Sequence, residues 1–181
     1  MSDSTGAVIL ALGNRLRGDD AVGPCLADRL GDRLPGCRIV VSPPDPLAMV
    51  NAWECASLAV VLDAAVSGAV PGQLRRLDVG SDRIPADLAR CSSHGLGLAE
   101  ALGLAEALDR RPQRVVVYLV EAEAFEVGGP LSPAVAAALP AAALRIAAEV
   151  TDLLSDGARP EPACGPGSPP RSPAPGRRRP R

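Results

Sequence analysis

The sequence predicts a three-layer α/β/α sandwich around a mostly parallel sheet of about five strands. Two observations carry this expectation. Short apolar runs of strand length alternate along the chain with longer segments of helical periodicity, the pattern of strands joined by crossover helices. The runs are also continuously apolar rather than alternating, as strands buried on both faces of a parallel sheet require.

The elements follow in order. Ala7 to Leu12 (AVILAL) is the first such run and ends in Gly13-Asn14. After the loop Gly13 to Gly18, Val22, Leu26, Leu30 and Leu34 recur at helical spacing, which predicts a helix over Asp19 to Leu34. Asp19 and Asp20 fall at its start, where a carboxylate suits the positive end of the helix dipole. Arg38 to Val41 reads as a second strand, and Ser42-Pro43-Pro44-Asp45-Pro46 as a rigid turn into a short helix, Leu47 to Glu54. Leu58 to Leu62 is a third strand closed by Asp63. Pro71-Gly72 is a turn, and Gln73 to Val79 alternates like a strand near a sheet edge.

A polar loop through Pro85 and Arg90 leads to Ser92-Ser93-His94 and a helix over Gly95 to Leu108. That helix contains GLAEAL twice, read as a local duplication rather than a repeat fold. Arg114 to Val120 (RVVVYLV) is a central strand. The last helix starts with Ser132 as N-cap and Pro133 in the first position, and runs to about Leu154 with a kink expected at Pro140. From Gly157 onward Pro, Gly, Ser and Arg dominate and no apolar pattern survives. The organisation expected is one domain over residues 1–156 and a disordered Pro/Arg-rich tail over 157–181.

Composition narrows the function. The chain has 181 residues, 47% of them apolar, and a formal net charge of −2. All 19 basic residues are Arg; six lie from Gly157 onward with one acid, Glu161. The body before them carries 13 basic and 20 acidic residues, a net of −7, which does not attract a phosphate backbone. Aromatics at 2% leave little for stacking on bases, so no nucleic acid is expected as partner. No run of eighteen uncharged apolar residues is present, and no membrane span is expected. Met1 to Gly6 is short, polar and contains Asp3, unlike a signal peptide, so a cytoplasmic location is expected. Cys25, Cys37, Cys55, Cys91 and Cys164 form no CxxC pair and read as reduced thiols, mostly small core residues.

In an open α/β sheet the ligand site lies at the carboxyl ends of the strands. Asp20 follows the loop after the first strand, Asp63 ends the third, and His94, the only histidine, stands just before a helix. Two carboxylates and an imidazole suit a divalent borderline metal such as zinc or nickel, and three protein ligands leave positions open for water or substrate. Each residue also has a plain structural use: a helix cap for Asp19 or Asp20, a turn acceptor for Asp63, a helix-start residue for His94. A phosphate-binding reading of Gly13 to Gly18 fails because Asp19-Asp20 would place two negative charges where phosphate sits. A serine hydrolase built from Ser93, His94 and Asp63 lacks a GxSxG elbow and puts the nucleophile beside its own base. Gly13 and Gly18 serve backbone geometry; Asn14 and Arg17 either shape the turn or orient a carboxylate and the substrate.

Ile9 to Gly23 (ILALGNRLRGDDAVG) resembles the opening motif of hydrogenase maturation proteases. Val60-Val61-Leu62-Asp63-Ala64 with Pro71-Gly72 resembles the second motif, Ser92-Ser93-His94-Gly95-Leu96 the third, and Gly128 to Pro133 with Val135 the closing segment. The order holds from about Val8 to Leu154. The resemblance implies an endopeptidase that removes the C-terminal extension of a nickel–iron hydrogenase large-subunit precursor after nickel insertion. It carries the family's catalytic and metal-binding positions onto Asp20, Asp63 and His94, with Asp20 where some members have Glu. The nickel implied is the one the precursor presents, with zinc or another divalent metal able to substitute in vitro, and a monomer is expected. The competing readings are a metal-dependent hydrolase with another substrate and a non-catalytic chaperone that binds the precursor.

Overall fold

The computed structural model describes residues 6–41, 45–79 and 94–156. The expectations for the Ser42–Pro44 part of the Pro-rich turn, the polar loop through Pro85 and Arg90, Ser92-Ser93, Cys91, Cys164 and the tail fall outside those residues. Within them lie β1 (Ala7–Ala11), a 3-10 turn (Gly18–Ala21), α1 (Val22–Gly31), β2 (Arg38–Val41), α2 (Pro46–Trp53), β3 (Leu58–Ala65), β4 (Leu74–Val79), α3 (Gly95–Ala107), β5 (Arg114–Glu121) and α4 (Pro133–Asp156).

The five strands form one sheet in the order β2-β1-β3-β5-β4. Four are parallel, and β4 runs antiparallel to β5 at one edge, with Leu74 opposite Val120 and Val79 opposite Val115. The expected mostly parallel three-layer sandwich is the fold observed. All five residues of β1 and all eight of β3 are buried, as strands covered on both faces must be.

Alternation along the strands divides the interior into two cores. Ile9, Val60, Leu62, Val116 and Tyr118 face α1 and α4, meeting Leu26, Leu30, Leu139 and Ile146. Val8, Leu10, Ala59, Val61, Val117 and Leu119 face α2 and α3, meeting Met49, Trp53, Leu98 and Leu102. The period of two along a strand decides which core a side chain joins. Asp63 shares the parity of Ala59 and Val61, so its carboxylate belongs to the face covered by α2 and α3.

Several elements differ from expectation in instructive ways. The third strand does not close at Asp63 but continues to Ala65, because β5 pairs with it as far as Glu121 opposite Ala65. Its other neighbour β1 pairs only to Ala11 opposite Leu62, with one further bond from Leu12 N to Leu62 O at 2.9 Å. Asp63 therefore stands inside a strand, at the step where one side of that strand loses its partner. The helix predicted from Asp19 is a 3-10 turn followed by α1, and neither Asp19 nor Asp20 caps it: no side chain caps the 3-10 turn or α1.

The doubled GLAEAL lies in and just beyond α3, and its period of six is out of phase with the helix. Leu102 is buried while its counterpart Leu108 is exposed. The copies do not do the same structural work. Cys25 and Cys37 pack half-buried against the first core, but Cys55 is exposed and takes a positive φ of 62°.

α4 is the one described helix with the length and composition to cross a membrane. Its stripe Val135, Leu139, Ala142, Ile146 and Val150 is buried in the first core. Ser132 accepts from Val135 N at 3.4 Å at the helix start, as expected. The helix continues through Pro140, which is exposed, as is Ala136, so the carbonyl deprived of its usual donor faces water. Ile146→Ala is expected to cost about 2–5 kcal/mol, and Leu144→Ala, on the exposed face, less than about 0.5 kcal/mol. Urea denaturation of the two variants checks this; equal losses would mean that α4 does not pack by this stripe.

Candidate functional site

α1, which follows β1, covers one face of the sheet, whereas α2 and α3, which lead into β3 and β5, cover the other. Such a switch point opens a crevice at the carboxyl ends of the strands, and three side chains converge there. Asp20 stands in the 3-10 turn after β1, Asp63 in β3 one step past the end of the β1 ladder, and His94 immediately before α3.

One ligand atom from each of Asp20, Asp63 and His94 lies within 4.8 Å of the others. His94 Nδ1 is 2.9 Å from Asp63 Oδ1 and His94 Nε2 is 3.8 Å from Asp20 Oδ1. Asp63 has no exposed side-chain surface, and Asp20 is buried. Burying two carboxylates side by side is costly unless their oxygens find donors. Asp63 Oδ1 also accepts from Ala64 N at 2.8 Å and its Oδ2 from His94 N at 3.2 Å. Asp20 Oδ2 accepts from Asn14 N at 3.0 Å.

Asp63 thereby binds His94 twice, through ring and backbone. With Nδ1–H donated to Asp63, the lone pair of the neutral ring sits on Nε2, directed to the Asp20 side. A carboxylate that fixes the tautomer of a ligating histidine is a recurrent arrangement in metal sites. The hydrogen bond to Asp63 raises the His94 pKa above its ordinary value. Burial opposes this, the charges of Asp63 and Asp20 add to it, and Arg17 works against it.

The loop before Asp20 has little freedom. Gly13 takes φ +117°, and a Cβ there would stand 1.9 Å from the Asp20 carbonyl oxygen; Gly18 takes φ +54°. Both serve backbone geometry, as their place in the sequence suggested. The Asn14 side chain does turn chemistry, accepting from Leu16 N at 2.9 Å, while its amide serves Asp20. Arg17 lies over the Phe125 ring, 5.5 Å from its centroid.

With this geometry established, comparisons with known proteins agree among themselves. The family model for hydrogenase maturation protease matches residues 44–149. The chain belongs to the hydrogenase maturation protease family. Its activity in kind is that of an endopeptidase. Among solved structures, the chain is similar to the hydrogenase maturating endopeptidase HybD from E. coli, at 22% identity and TM-score 0.69, covering 81% of this chain and 93% of that one. It is also similar to the [NiFe] hydrogenase maturation protease HybD from Thermococcus kodakarensis, at 25% identity and TM-score 0.66, covering 80% and 97%. No curated protein matches the sequence. The matched segment contains Asp63 and His94; Asp20 comes before it and joins them through the fold.

Two carboxylates in this protease went unrecognised in the sequence. Asp19, read there only as a possible cap, is fully buried and accepts from Glu123 N, Ala124 N and Ser132 N. Glu121, at the end of β5, is buried and accepts from the Ser67 hydroxyl and from the backbone N–H of Ser67, Gly68 and Ala69. Its signal was present: Glu121 ends RVVVYLVE much as Asp63 follows LAVVL. Burial alone would raise both pKa values, but the several donors outweigh it and hold both below the usual carboxylate range.

Because His94 is the only histidine, its titration is read without ambiguity by proton NMR. The Asp63→Asn variant is expected to titrate His94 at lower pH than the wild type, since the anionic acceptor that favours the imidazolium is gone. An unchanged midpoint would mean that Asp63 does not set the ring's basicity. Glu121→Gln is expected to lose about 1.5–3 kcal/mol at pH 7. A carboxyl whose folded pKa is depressed stabilises the fold above its unfolded pKa of about 4.3, and that stability fades as pH falls through the folded value. The variant's stability should therefore fall less steeply than wild type as acid is added, as measured by urea midpoints between about pH 5 and 2.

Proposed function

We propose that this protease removes the C-terminal extension of a nickel–iron hydrogenase large-subunit precursor after nickel insertion, and that Asp20, Asp63 and His94 engage the nickel the precursor carries. The observation that carries the reading is the convergence of two buried carboxylates and the chain's sole imidazole within 4.8 Å at the switch point of the sheet. The family assignment supports the substrate class.

The donor set fits a borderline divalent ion. Imidazole nitrogen and carboxylate oxygen are both suitable ligands for nickel or zinc; His94 Nε2 and Asp20 would be the direct ligands and Asp63 would act through the ring it orients, which leaves positions open. Nε2 of His94 offers its lone pair on the side facing Asp20, and the Asp20 carboxylate is steadied by Asn14 N at 3.0 Å. An ion so held supplies Lewis acidity toward the scissile carbonyl or its attacking water. The chain's own part is positional. Asp63 fixes the ring, the Gly13 loop fixes Asp20, and the fold sets His94 Nε2 and Asp20 Oδ1 3.8 Å apart before substrate arrives.

The test is incubation with nickel-loaded precursor and mass spectrometry of the products. Loss of one C-terminal peptide is expected, reduced at least about a hundredfold in Asp20→Ala, Asp63→Ala and His94→Ala. Full cleavage by His94→Ala would remove that residue from the reaction. Cleavage of nickel-free precursor at the same rate would remove the metal.

A further inference from the structure

Many arginines of this fold serve the chain itself. Arg15, Arg76 and Arg114 pair with carboxylates, and Arg29 and Arg33 donate to backbone carbonyls. The Arg17 guanidinium has neither kind of partner among the described residues; it lies over the Phe125 ring, 5.5 Å from the centroid. Stacking on a ring occupies the face of the guanidinium and leaves its N–H edge free to donate. Arg17 is exposed, so an incoming group can reach that edge.

The backbone beneath this cation is fixed. Arg17 N donates to Asn14 O at 3.1 Å, Arg17 O accepts from Asp20 N at 3.1 Å, and the residue pairs with Val127 in an antiparallel bridge. The charge is thereby anchored one 3-10 turn ahead of Asp20. It is close enough to be felt at His94, where it opposes the imidazolium. The site has two poles as a result. The buried carboxylates of Asp20 and Asp63 draw a cation and repel an anion, and Arg17 does the reverse. A planar fork of donors also matches a carboxylate in shape, since two parallel N–H groups meet its two oxygens.

We infer that Arg17 is a specificity-determining residue whose guanidinium takes a carboxylate of the precursor peptide near the scissile bond, while Asp20 and His94 face the metal ion that the precursor carries. The inference rests on the precursor-cleaving reading above. A substrate bearing a cation and an anion can satisfy both poles in one direction only, so the pair sets which way the peptide lies across the site.

Steady-state cleavage of nickel-loaded precursor by wild type, Arg17→Gln, Arg17→Lys and Arg33→Gln tests this. Arg33 is exposed beyond the far end of α1, so Arg33→Gln controls for the loss of one positive charge. Arg17→Gln is expected to raise KM about tenfold or more while kcat stays within about threefold, because the contact seats substrate away from the reacting atoms. Arg17→Lys should recover part of that loss, as a point charge without the fork, and Arg33→Gln should keep the wild-type KM. Acids flanking the cut in the precursor, changed singly to their amides, then locate the partner: one change should raise KM for wild type and leave it unaltered for Arg17→Gln. A folded Arg17→Gln with wild-type KM, an equal rise in Arg33→Gln, or no acid coupled to Arg17 overturns the inference and leaves the precursor-cleaving reading intact. A wild type that cuts no precursor overturns that reading and this inference with it.

Discussion

Burying a carboxylate among apolar strands is tolerated only where hydrogen bonds replace the lost water, and the carboxyl edge of this sheet is organised by that requirement. Asp19, Asp20, Asp63 and Glu121 are all buried. Each takes backbone donors, most of them from loops: Glu123, Ala124 and Ser132 for Asp19, Asn14 for Asp20, His94 and the strand residue Ala64 for Asp63, and Ser67 to Ala69 for Glu121. The loops at the carboxyl edge are thus shaped around acids rather than around apolar anchors. Loss of one acid removes the acceptor that ties these segments and costs more than loss of a surface ion pair such as Arg15 with Asp28.

The same arrangement divides labour among chemically identical side chains. Asp19 and Asp20 are neighbours in sequence, yet the 3-10 turn sends one into the β5–α4 loop and the other toward His94. The oxygens of Asp19 are taken up by amides. Asp63 stands where the β1 ladder stops and the β5 ladder continues, so the strand is rigid on one side and open on the other. A site assembled from a turn, a strand interior and a helix start inherits the stiffness of the sheet without being closed off by it.

Much of the fold was legible because it follows from one-dimensional patterns. The uninterrupted apolar runs at β1, β3 and β5 could be satisfied only by a sheet covered on both faces, and the alternation in Gln73 to Val79 marked an edge strand. Of the three candidate site residues, Asp63 was read as an acid at the end of such a run, Asp20 as an acid after the first loop and His94 as the sole histidine before a helix. Other features were not. Asp19 looked like a helix cap because capping is a local rule, whereas its true partners lie more than 100 residues away. Asp63 looked like the end of a strand because the continuation, Ala64-Ala65, carries no β signal of its own and is held only by pairing with β5. The two GLAEAL copies looked alike until the helix turned Leu102 inward and Leu108 outward.

The sequence by itself determined the class of sheet, the order of its elements and the residue types offered to the candidate site, because burial periodicity and residue type are properties of a chain segment. Only the tertiary structure decided which acid meets which partners, that His94 meets Asp63 through Nδ1 and faces Asp20 through Nε2, and that Asp19 ties the β5–α4 loop. Those outcomes depend on donors and acceptors brought together from distant segments. A hydrogen bond of about 3 Å is a condition on three-dimensional position that no local pattern encodes.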